Sequence, residues 1–105
     1  MTTHQWRKLT RWIRKVFPVA SRVILKRRKI KKNCAVRTVH SIPSYPYAIF
    51  RLYINSNATV IEQTDALLHE WAHILSEEET HSHAGNWGIL HGKIIEEWGN
   101  IFGSK

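Results

Sequence analysis

Three side chains in the run LLHEWAHIL, residues 67–75, have the types and spacing for metal-assisted hydrolysis: His69, Glu70 and His73. On a helix, residues four apart share a face, with about 5–6 Å between their β-carbons, so two such imidazoles can grip one divalent ion. A glutamate directly after the first histidine sits beside the pair, where it can take a proton from water at the metal. The three polar groups interrupt an apolar run, and burying them without partners would be costly. Winding the segment as a helix resolves the conflict. Val60, Ile61, Leu67, Leu68, Trp71, Ala72, Ile74 and Leu75 fall on one broad arc, and Glu62, Asp65, His69, Glu70 and His73 on the other. The expected helix has a core side and a side facing a cleft.

A catalytic zinc takes three protein ligands and keeps a fourth position for water. The single cysteine, Cys34, excludes a thiolate framework, so the ion must be held by histidine and carboxylate. Downstream candidates are His81, His83, His91, Glu96 and Glu97. His83, Trp87, Leu90, Ile94 and Trp98 share one helical stripe, at spacings of four, three, four and four. His83 begins this inward seam and is the preferred third ligand; His81 points away from it and His91 lies at its edge. Glu97, also near the stripe, keeps a carboxylate ligand open. For the oxyanion of a tetrahedral intermediate the candidates are His91, Tyr53 and Arg51.

These residues need a scaffold, and 105 residues suffice for one domain with a modest core. The reading is a single domain, 1–105, with a basic N-terminal segment, 1–33. Trp6, Leu9, Ile13 and Val16 recur at helical spacing, and Pro18 closes that helix. The stretch from Ala20 to Asn33 admits a second short helix or a strand, and the helix is preferred. Residues 34–40 alternate and are β-branched, which predicts a strand opened by Cys34 as an inert small hydrophobe. Pro43 and Pro46 make the next segment a loop. From Tyr47 to Asn55 a half-buried strand sets Ala48, Phe50, Leu52 and Ile54 against Ile49, Arg51, Tyr53 and Asn55. Thr59 and Glu62 form a capping box that starts the motif helix near Val60. Glu77, Glu78 and Glu79 oppose the helix dipole and should end it. A last helix is expected from about Ser82 to Trp98, with Gly99 as its stop. The fold class is α+β, and the remaining tryptophans and tyrosines read as core or cleft wall.

Charge is sharply divided. Residues 1–40 carry thirteen of the sixteen Lys and Arg and no acid, whereas residues 41–105 set three cations against eight acids, a sum of −5. Such a basic segment is an electrostatic footprint for a polyanion. Lys26, Arg27, Arg28, Lys29, Lys31 and Lys32 are candidate contacts to DNA or RNA phosphates. The competing readings are a solvated face complementing the acidic half, and a membrane surface met by Trp6, Trp12 and Ile13. No segment reads as a membrane span or signal peptide, and one cysteine fits a reducing compartment, so a cytoplasmic location is expected.

From about Tyr47 to Trp98 the chain resembles the SprT-like zinc metallopeptidases, above all the small phage-encoded, minigluzincin-like members of the H-E-x-x-H zincins. In these a strand and short loop lead into an LLHEWAH helix, followed by a histidine with an aromatic four residues on, here His83-Ala84-Gly85-Asn86-Trp87. The metzincin extension is not met, since Ser76 and Glu79 stand where its glycine and third histidine belong. The resemblance implies one zinc ion on His69, His73 and His83, Glu70 as general base, and hydrolysis of a protein or peptide. It also implies an N-terminal helix, a small antiparallel sheet, the motif helix and a closing helix, in the host-cell cytoplasm if phage-encoded. A substrate peptide would add to the open edge of the sheet. Basic contacts would direct the enzyme to nucleic-acid-associated proteins. Two alternatives stand beside it. One is a small nucleic-acid-binding protein whose zinc is structural, its fourth position filled by His91 or Glu97. The other is an ImmA-like peptidase of one regulator, which the basic segment and the His83–Trp87 element fit less well.

Overall fold

The computed structural model describes residues 1–31, 33–40, 49–80 and 87–102. Helix α1 spans Thr3–Val16, strands β1, β2 and β3 span Arg22–Arg28, Ala35–His40 and Ile49–Asn55, and helices α2 and α3 span Val60–Thr80 and Trp87–Phe102.

Helix α1 starts on a capping box that sequence reading did not anticipate. The Gln5 amide donates to Thr2 Oγ1 (3.1 Å) and the Thr2 amide to Gln5 Oε1 (2.8 Å), satisfying two donors that a helix start leaves open. Leu9, Trp12 and Ile13 are its buried face, while Val16, expected on that stripe, is exposed. The helix ends as expected: the Phe17 amide still donates to the Ile13 carbonyl, and Pro18, lacking an N–H, cannot continue it.

Residues 22–28, expected as a helix, form a strand instead. Lysine and arginine are good helix formers, but strand formation is decided by packing against neighbours. Alternation along β1 sends Val23 and Leu25 into the core, and β3 offers it a hydrogen-bonding edge. The strand order is β1-β3-β2. β2 pairs antiparallel to β3, but β1 pairs parallel to it, so the sheet is mixed and not antiparallel throughout. β1 takes the edge of β3 opposite β2. The alternation predicted for β3 holds, with Phe50, Leu52 and Ile54 buried. Asn55 closes this end of the sheet. Its Nδ2 donates to the carbonyls of Ile30 (3.0 Å) and Asn33 (3.1 Å), and its Oδ1 accepts from the amides of Ile30 and Asn57.

The expected Thr59–Glu62 box caps α2: the Thr59 amide donates to Glu62 Oε1 (3.0 Å), and the Glu62 amide to Thr59 Oγ1 (3.1 Å). Leu67, Leu68, Trp71, Ala72, Ile74 and Leu75 are buried, as wound from the sequence. Val60 and Ile61 depart from that arc at 40 % and 73 % exposed. The helix ends at Thr80, one residue beyond the three glutamates. In α3, Leu90 and Ile94 are buried and Trp98 is partly so. Gly99 does not stop this helix; it keeps right-handed backbone and the helix runs on to Phe102. Residues 82–86, expected in its first turns, lie outside the described residues, as do Lys32 and the two-proline loop with Tyr45 and Tyr47.

One cluster joins the elements: Leu9, Trp12 and Ile13 of α1, Val23 of β1, Phe50, Leu52 and Ile54 of β3, the inner row of α2, and Leu90 and Ile94 of α3. Each fully buried aliphatic or aromatic side chain contributes roughly 1.5–3 kcal/mol. Trp71, wholly buried, also donates its Nε1–H to the Phe17 carbonyl at 2.8 Å, tying α1 to α2. Among the described residues no helix is long and apolar enough to cross a membrane.

Candidate metal centre

The buried row of α2 fixes its rotation. With Leu68, Trp71 and Ala72 turned into the core, His69, Glu70 and His73 emerge along the opposite side, all at least partly open to solvent. The two imidazoles face each other with their Nε2 atoms 3.2 Å apart and their rings at 67°. One ligand atom from each of His69, Glu70 and His73 lies within 4.8 Å of the others. Two nitrogens held by one tetrahedral zinc at about 2.0–2.1 Å would stand about 3.3 Å apart. The observed 3.2 Å fits that ion, and imidazole nitrogen with carboxylate oxygen is a zinc donor set.

Trp87, the first residue of α3, forms the wall behind the pair. Its Nε1–H donates to the His69 carbonyl at 3.3 Å, and its ring centroid is 4.9 Å from that of His69 and 5.1 Å from that of His73. The ring also stacks on His91 at 4.8 Å and 18°. His91 thus stands beside the centre, its ring 5.6 Å from that of His69. Burial pulls its pKa below the ordinary value, the nearby His69 adds to the effect, and Asp65 opposes it. The His91 ring nitrogens do not join the ligand atoms that gather within 4.8 Å of one another, which among the described residues come from His69, Glu70 and His73.

His83, the preferred third ligand, lies outside the described residues, together with His81. Of the three oxyanion candidates, His91 adjoins the histidine pair. Arg51 and Tyr53 do not: alternation along β3 turns them to the sheet face opposite the one under α2. Glu96 and Glu97 are exposed on α3. Within the basic run, Arg27 is committed elsewhere, its Nη1 donating to the Met1 carbonyl at 2.9 Å and its guanidinium lying over Trp6.

Compared with known proteins, the chain matches no family model, no curated protein and no solved structure.

A groove of about 450 Å³ leads to the pair along α2, lined by Asn33, Cys34, Ala35, Glu62, Asp65, Ala66, His69 and Glu70. It begins at the start of β2, an edge strand, and ends at the candidate ligands. Cys34, expected as an inert hydrophobe at the head of β2, is exposed on its wall, with Sγ 3.9 Å from Glu62 Oε2. Sequence reading placed a cleft on this side of α2 but did not anticipate its second wall. Its signal was the run of Glu62, Asp65 and His69 on one helix face, but the opposite wall comes from residues about thirty positions earlier.

Proposed function

We propose that the chain is a zinc-dependent metallopeptidase. The observation that carries the reading is the facing pair of Nε2 atoms on His69 and His73, spaced for one ion, with the Glu70 carboxylate beside them. His69 and His73 would hold the zinc, with His83 as third ligand. Bound zinc lowers the pKa of a water and polarises a carbonyl. Glu70 takes the proton from the attacking water and returns it to the leaving amine as the peptide bond breaks. Trp87 holds the His69 and His73 rings from one side, so little reorganisation is needed on loading. A substrate lying along the groove would pair with β2 as an added strand, and Glu62 and Asp65 favour cationic side chains there.

The closeness of the two Nε2 atoms also fits a second reading, a structural site in which Glu70 completes the ligand set and no water is activated. Metal analysis and hydrolysis of a fluorogenic peptide, carried out together, separate the two. The peptidase reading expects one zinc per chain in wild type, none in His73→Ala, and full zinc without hydrolysis in Glu70→Gln. Full zinc with no hydrolysis by wild type supports the structural site; hydrolysis by Glu70→Gln at the wild-type rate removes Glu70 from its role.

A further inference from the structure

Alternation in the three strands leaves one face of the sheet outside the hydrophobic cluster. On β1 the outward positions include Arg22, Lys26 and Arg28; on β3, between the two edge strands, they include Arg51 and Tyr53. Register makes these neighbours, since Lys26 pairs with Tyr53 across the β1–β3 ladder. None of the five is buried. The Arg28 guanidinium lies over the Tyr53 ring, 4.0 Å from its centroid. From Arg22 to Arg28 the row of cations on β1 covers roughly 20 Å at the rise of a strand.

Among the described residues this face carries no negative charge. Every Asp and Glu lies at or beyond Glu62, after the last strand, so the described acids belong to α2 and α3 behind the sheet. The basic face of α1, with Arg7, Arg11 and Lys15, offers less aromatic surface: Trp12 shares a pocket with them but is only 8 % exposed, and Trp6 lies under Arg27.

We propose that the open face of the sheet binds single-stranded nucleic acid. Phosphates pair with Arg22, Lys26 and Arg51, and an unpaired base stacks on the Arg28–Tyr53 pair. Charge complementarity selects a polyanion, and the ready-made guanidinium–phenol stack selects one that also offers flat π-faces. Paired bases keep their faces inside the duplex, so single strands are preferred. This inference does not rest on the peptidase reading, since the surface is on the side of the sheet away from His69 and His73.

The test is fluorescence anisotropy of the full chain with a labelled oligothymidylate of about 15 nucleotides, a length in the range that one small module covers. Oligouridylate, a duplex of equal length and vesicles of anionic lipid are the competing arms. Tyr53→Ala and Arg28→Ala should each weaken oligothymidylate binding at least fivefold, and Tyr53→Phe should retain it. Arg7→Ala/Arg11→Ala, which removes two charges from α1, should weaken it less than Arg28→Ala alone. Lys26→Glu, an exposed change compatible with the strand, repeats the test should Tyr53→Ala misfold. Either oligothymidylate or oligouridylate binding more tightly than the duplex supports the proposal. It is overturned if the sheet variants bind like wild type, if the duplex binds more tightly than both single strands, or if vesicles displace the oligonucleotide from a common site.

Discussion

Two imidazole nitrogens 3.2 Å apart can share one proton or one cation, but two protonated rings at that distance would repel. Zinc binding should therefore stabilise the fold by mass action, by about 2.7 kcal/mol at a free concentration one hundredfold above the dissociation constant. Thermal melting should show a zinc-dependent rise in wild type, reversed by a chelator, and no rise in His69→Ala. Trp87 touches both rings and bonds the His69 carbonyl. Its replacement by alanine should weaken zinc about 10–100-fold, the usual cost of losing groups that orient ligands. Trp87→Phe, which keeps a ring and loses the Nε1–H, should fall between. A competition assay with a zinc-responsive dye reads both.

At the scale of the element, α2 depends on its start. Thr59→Ala removes the acceptor for the Glu62 amide and should cost about 0.5–2 kcal/mol in a denaturant titration. Hydrogen bonds from the Thr59 amide and then its side chain pull the Glu62 carboxyl below its ordinary value of 4.5. A carboxyl whose folded pKa is depressed stabilises the fold above its unfolded pKa and loses that contribution as pH falls through the folded one. Wild type should therefore lose stability relative to Glu62→Gln below about pH 4.5, while near neutral pH the difference stays constant; melting at stepped pH values checks it. The middle of the buried row is pinned by Trp71. Its indole bond to the Phe17 carbonyl is part-buried, and Trp71→Phe should cost about 0.5–1.5 kcal/mol from the lost bond alone.

At the scale of the molecule, the sheet is a partition. Its inner face carries the core and, through α2, the candidate metal pair; its outer face carries cations and Tyr53. Leu67, wholly buried in that core, should cost about 2–5 kcal/mol when cut to alanine, read as a lower denaturant midpoint at unchanged slope. Because the two proposed surfaces are on opposite sides, a chelator that strips bound zinc from the folded chain should leave oligonucleotide affinity unchanged, whereas salt should weaken it steeply.

Whatever depends on local spacing was legible in the residues themselves. The i, i+4 histidines, the Thr59–Glu62 cap, the buried row of α2 and the two faces of β3 each follow from helix or strand periodicity, which neighbours in sequence impose on one another. What depends on distant partners was not. Residues 22–28 became a strand because β3 offered an edge, and that choice made the sheet mixed, turned Arg27 inward and set Lys26 and Arg28 outward. The same folding took Arg51 and Tyr53 away from the histidines, brought His91 and Trp87 against them, and opened the groove beside Cys34. Periodicity says which residues share a face; only packing between elements says what that face meets.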